Sequence, residues 1–214
     1  MRLYRPKEPS GGGPLPLLVY FHGGGWTIGS INSCARFCDA LAATGDVAVL
    51  AVDYPLAPEH PFPAALNACV EALRHAFRNA GTWGCSPSLI SVGGDSSGGN
   101  LALAVAFMLQ ENTTPDGNGE ESLPPLKSVL LFYPVTKAYN DGSASWQKYG
   151  TGYGLNADLM ETFNKAYLTH SPFKPENTPG KGPIEKYYLV SPAHATEQGR
   201  LKNFPPVLLI AAGQ

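Results

Sequence analysis

The chain contains no uninterrupted apolar run of about eighteen residues, so no membrane-spanning helix is expected. No secretory leader is expected either, because Met1-Arg2-Leu3-Tyr4-Arg5-Pro6 lacks an apolar core. Charge is sparse. Fifteen basic and seventeen acidic residues among 214 leave a net charge of −2, so neither nucleic acid nor an anionic membrane is an expected partner. Cysteine is scarce, with only Cys34, Cys38, Cys69 and Cys85. These form neither a C-x-x-C pair nor a metal-type spacing, so no disulfide framework and no metal site is expected. They read as small buried hydrophobes. Cys34 and Cys38 lie one helical turn apart and can share a face. A reducing, cytoplasmic location is the matching expectation. No phosphate-binding loop occurs, and the expected cofactor is none.

What is present in quantity is glycine (24), proline (20) and short apolar stretches. A 214-residue chain with 43% hydrophobic residues suits a single domain, 1–214, with a substantial core. The runs 17–21, 47–52, 89–92, 129–133 and 206–212 are apolar without alternation, as strands buried on both faces are. Leu3 and Tyr4 read as the remnant of another strand. Between the runs lie helical patterns. One spans about 33–43, with Ser33 as a candidate cap. A second places Phe62, Leu66, Cys69, Val70, Leu73, Ala76 and Phe77 at helical spacing. A third, from Ser97 to about Gln110, is apolar nearly all round. A fourth runs over about 156–168. The alternation predicts an α/β fold, a doubly wound, mostly parallel sheet of about five or six strands with helices on both faces. Residues 136–190 read as a cap-like or irregular insertion.

Two turns carry chemistry. Gly94-Asp95-Ser96-Ser97-Gly98 fits G-x-S-x-G between an apolar strand and an apolar helix. A strand that reverses sharply into a helix strains its central residue, and glycines two positions either side remove the Cβ atoms that would clash. That geometry lifts the Ser96 hydroxyl above the sheet at a helix N-terminus, where unpaired N–H groups favour negative charge. The second turn, His22-Gly23-Gly24-Gly25-Trp26, leaves a bare backbone able to aim N–H donors at a carbonyl oxygen. A third block, from Asp53 through Pro55, Pro58, Pro61 and Pro63, is a rigid entry to a helix. Its Glu59 and His60 read as structural, since an acid and a base for this serine are expected after it in the chain.

These two turns, the Tyr54-Pro55-Leu56-Ala57-Pro58-Glu59 block and Phe132-Tyr133-Pro134 together resemble the hormone-sensitive lipase branch of the α/β-hydrolases, which includes carboxylesterases. The resemblance covers nearly the whole chain. It implies Ser96 as nucleophile, backbone N–H groups of Gly23, Gly24 and Ser97 as oxyanion hole, and Gly94, Asp95 and Gly98 as elbow residues, with a small carboxylic ester as substrate. Trp26, Tyr133 and Tyr153 are candidate pocket linings, with core packing as the alternative for each. In the family the triad acid follows the strand matching 207–212 and the histidine lies further on. The sequence stops at Gln214, before both, and the family's N-terminal cap helices and first strand have no counterpart. The core is therefore expected to be incomplete and the chain inactive or feeble. Asp116, Asp141, Asp158, His170 and His194 fall in segments the family uses for loops or the cap. The alternative is a small-molecule-binding protein without hydrolysis, as in the plant gibberellin receptors that resemble this branch. An incomplete sheet also leaves an apolar edge open to self-association.

Overall fold

Side chains that alternate between two cores along one strand set the layers. In a computed structural model, which describes residues 1–111, 123–173, 183–197 and 199–211, strand β2 (Leu15–Phe21) is buried at every position except Pro16. Its Leu17, Val19 and Phe21 face one core, and its Leu18 and Tyr20 face another. Helix α1 (Ala35–Gly45) covers the second with Cys38 and Ala42. Helices α2 (Ala64–Asn79) and α3 (Ser97–Glu111) cover the first. Helix α3 is buried continuously from Ser97 to Met108, which accounts for its apolar composition all round.

The remaining strands are β1 (Arg2–Tyr4), β3 (Ala48–Val52), β4 (Cys85–Asp95), β5 (Val129–Phe132) and β6 (Val207–Ile210). They form a six-stranded sheet in the order β1-β3-β2-β4-β5-β6. Only the β1–β3 pair is antiparallel. From β2 the chain moves through α1 to β3 on one side, then returns through α2 to β4 on the other. The order therefore reverses between β2 and β4, and their carboxyl ends flank the crevice in which folds of this class bind ligands. Residues 136–190 carry α4 (Ala144–Tyr149) and α5 (Ala157–Leu168). Asn156 caps α5 by accepting from the Leu159 N–H at 2.8 Å.

Two expectations are corrected. Ser33 does not cap α1. Its hydroxyl closes a turn one step earlier, donating to Ser30 O at 2.6 Å, and Cys34 occupies the N-cap position without a side-chain cap bond. The last apolar run is not buried. All four residues of β6 are 47–55% exposed, because no described helix lies over either face of this edge strand. Ala212 and Gln214 lie outside the described residues. No helix among the described residues is long and apolar enough to cross a membrane.

Candidate active site

Strand register brings the two glycine turns together. Phe21, the last residue of β2, is the partner of Gly94 on β4, so the chain leaves both strands side by side. At the end of β4, Ser96 takes φ 52°, a left-handed conformation that a residue with a side chain rarely adopts. Three backbone bonds hold it there. Its N–H donates to Phe132 O at 2.9 Å, and its carbonyl accepts from Val135 N–H at 3.0 Å and Asn100 N–H at 3.1 Å. A Cβ on Gly98 would collide with the Phe21 carbonyl, and one on Gly94 with the Gly98 backbone. The two elbow glycines thus let β2, β4 and α3 meet without side chains between them. Trp26 (φ 60°) and Tyr133 (φ 37°) are strained likewise. Strain accordingly gathers just past the ends of β2, β4 and β5, as it does at functional sites.

Asp95 ties the turns to each other. One of its carboxylate oxygens accepts from Tyr20 Oη at 2.7 Å and from the Gly23 N–H at 2.9 Å. Burial first, and the Asp95 charge second, push the Tyr20 phenol far above its ordinary pKa, so it serves as a permanent donor. The Gly23 bond corrects one expectation, since its N–H points at Asp95 and is not available to an oxyanion. The N–H groups of Gly24, Gly25 and Ser97 have no partner among the described residues. The sequence does not single out Gly25. Three consecutive glycines do not show which amide faces outward, and the only signal was the acid between Gly94 and Ser96. A Cβ on Gly24 would strike Ile28 O, and one on Gly25 the Phe163 ring.

His22 is buried and stacked on Tyr54, with ring centroids 4.3 Å apart. Tyr54 Oη donates to His22 O at 2.6 Å, and burial drives its pKa well up. The proline-rich block therefore braces the glycine turn from behind, a role that its sequence did not disclose. Glu59 and His60 lie on the surface.

The aromatic candidates separate. Trp26 is 0% exposed and stacks on Tyr167 of α5 at 4.5 Å, so it is core and lines no pocket. Phe163, one turn before Tyr167, lies over Gly25 instead. Tyr133 is 60% exposed beside the elbow, its N–H donating to Ile210 O at 2.7 Å. Tyr153 is exposed and edge-on to Tyr149, and no described contact brings it to Ser96.

The Ser96 hydroxyl has no hydrogen-bond partner among the described residues. His194 is engaged at both nitrogens, Nε2 with Tyr139 Oη at 2.8 Å and Nδ1 with Glu197 at 2.9 Å. His170 and Asp158 are exposed, Asp141 pairs with Lys137, and Asp116 lies outside the described residues. Among the described residues, no three His, Cys, Asp or Glu side chains gather as a metal site would need.

Known proteins resemble this chain in sequence and fold. Residues 18–214 match the family model for the alpha/beta hydrolase fold. The chain is 37% identical over 172 residues to the carboxylic ester hydrolase LipN of Mycobacterium tuberculosis, covering 80% of this chain and 44% of that protein. It is 37% identical over 169 residues to ethyl acetate hydrolase of Pseudomonas putida, covering 79% and 50%. A hyperthermophilic esterase of the archaeon Pyrobaculum calidifontis superposes with a TM-score of 0.79 at 33% identity, covering 97% of this chain and 60% of that one. The chain thus spans 44–60% of the length of these relatives. With the family model matched over residues 18–214, the chain belongs to the alpha/beta hydrolase fold family.

Proposed function

We propose that this chain is the nucleophile-bearing part of a serine hydrolase of small carboxylic esters. The observation that carries the proposal is the Asp95 carboxylate, which joins the glycine turn to the elbow through the Gly23 N–H at 2.9 Å. Ser96 Oγ attacks the ester carbonyl, and its proton passes to a base as the alkoxide adds. The carbonyl oxygen becomes an oxyanion that accepts from the Gly24, Gly25 and Ser97 N–H groups. Each such donor contributes on the order of 10²–10³ in rate. The tetrahedral intermediate collapses, the alcohol leaves with the proton, and water repeats the sequence on the acyl-enzyme. Residues 136–190, which carry Phe163 over Gly25, act as the cap of the site.

The base is the missing group. No described imidazole reaches Ser96, and a serine without a base is a poor nucleophile at neutral pH. The proposed source is a segment beyond β6 in a longer protein, beside the elbow. The 214 residues alone are then feeble. The test is hydrolysis of p-nitrophenyl acetate and butyrate by the full-length gene product, by the 214-residue chain and by Ser96→Ala. Turnover by the long protein, lost in Ser96→Ala and nearly absent from the short chain, supports the reading. Turnover that survives Ser96→Ala overturns it. The unpartnered Ser96 hydroxyl also suits a binding protein on the same scaffold, and that reading holds if the full-length product binds small esters without turning them over.

A further inference from the structure

Helix α1, on the sheet face away from α2 and α3, carries two thiols that the chemistry at Ser96 does not use. Cys34 occupies its N-cap position and Cys38 follows one turn later, its N–H donating to Cys34 O at 2.9 Å. Both are free, with Cys34 8% exposed and Cys38 0%. Both side chains lie in one buried cluster, where the Cys34 thiol donates to Ile31 O at 3.7 Å. The neighbouring Cys38 thiol lowers Cys34 below the ordinary thiol pKa, while the proximity of Cys34, then burial, drives Cys38 well above it. Cys34 is thus the more acidic of the two, at the N-terminal end of an eleven-residue helix whose first turn holds no acid. Leu18, Tyr20, Ala42, Val49 and Ala51 surround the pair, whereas Cys69 and Cys85 belong to the opposite core.

The spacing selects the chemistry. Side chains four apart on a helix keep their Cβ atoms about 5–6 Å apart, whereas a disulfide needs about 3.5–4.5 Å. A direct sulfur–sulfur bond would unwind the first turn of α1. A single thiophilic atom set between the two sulfurs spans the gap with the turn intact.

We propose that Cys34 and Cys38 form a two-thiol binding site for monosubstituted trivalent arsenic, RAs=O. Two S–H bonds and the arsenic–oxygen double bond break, and two As–S bonds form. Both protons leave with the oxide oxygen as water, and no oxidation state changes. Cys34 attacks first as the thiolate, and Cys38 closes the ring. The site lies behind the elbow, in the same apolar cluster as Tyr20, which holds Asp95.

The test uses the reduced, folded chain, one equivalent of phenylarsine oxide and intact-protein mass. The expected result is one adduct with loss of one water, resistant to excess glutathione and reversed by 2,3-dimercaptopropanol. Cys34→Ser and Cys38→Ser should each weaken binding by about 100-fold or more, since the second thiol acts intramolecularly. Cys69→Ser and Cys85→Ser should bind as before. Cys38→Ala repeats the test without a hydroxyl in the core, and circular dichroism checks that each variant is folded. An adduct that persists in folded Cys38→Ala, forms only after unfolding, or maps to Cys69 or Cys85 overturns the proposal. Ser96→Ala should bind the arsenical unchanged, so the result stands or falls apart from the ester hydrolysis.

Discussion

Asp95 has two donors on one oxygen, and removing either should be felt at both turns. Tyr20→Phe keeps the ring packing against Phe37 and deletes only the hydroxyl bond to the carboxylate. Hydrogen bonds to charged groups are worth about 1.5–3 kcal/mol, so a loss of that size is expected in urea unfolding. Gly98→Ala should cost about 2–3 kcal/mol, because its Cβ meets the Phe21 carbonyl and the strand must move. Gly81→Ala is the control. Nothing lies within 4 Å of a Cβ there, so its thermal midpoint should barely shift. At this scale the sequence shows which residues must be glycine and which serine is singular, because sterics alone decide both. It does not show which glycine amide is left without a partner. That depends on where Asp95 reaches, and Asp95 is far from Gly23 in the chain.

Between elements, side chains of α3 and the loops hold residues 136–190 in place. Asn100 is buried, and its amide donates to Val135 O at 2.8 Å and Val190 O at 2.9 Å. Asn100→Ala leaves two carbonyls without that donor, at about 1–3 kcal/mol each. The expected readout is faster amide hydrogen exchange in 136–141 and 187–191, with the sheet less affected. Periodicity located α1, α2, α3, α5 and the strands to within a few residues, since a buried stripe or run leaves a direct trace, whereas the short α4, with no buried residue, fell in a stretch that reads as irregular. It left Trp26 open between pocket and core, because an aromatic beside a glycine turn reads the same whether it faces a pocket or, as here, stacks on Tyr167. The loop is also pinned by charge. Lys137, then Ser143, hold the Asp141 carboxyl down at about 2. A depressed carboxyl contributes stability above its ordinary value near 4 and loses it as pH falls towards 2. The pair is solvent-exposed, so the effect on global stability should be small. Lys137→Met should return the Asp141 titration, followed by NMR, upward towards the ordinary carboxylate value.

For the whole molecule, the mostly parallel sheet was legible where apolar runs are continuous, and the exposure of β6 was not. The run 206–212 looks like any central strand, because sequence pattern reports what a strand is made for and not what lies beside it. In the described residues Val207, Leu208, Leu209 and Ile210 pair with β5 alone and stay 47–55% exposed. Such an edge offers unpaired backbone groups and two apolar faces, a combination that recruits another strand. The 214-residue chain is therefore expected to self-associate through β6, with a weight-average mass by light scattering that rises with concentration. Leu208→Lys with Ile210→Lys puts two charges on one face of the strand, the device by which natural edges resist pairing. That variant should lower the measured mass towards 22.7 kDa at every concentration. Its circular dichroism should be unchanged, since both side chains are already half in water. An unchanged mass in a folded variant would place the contact elsewhere on the surface.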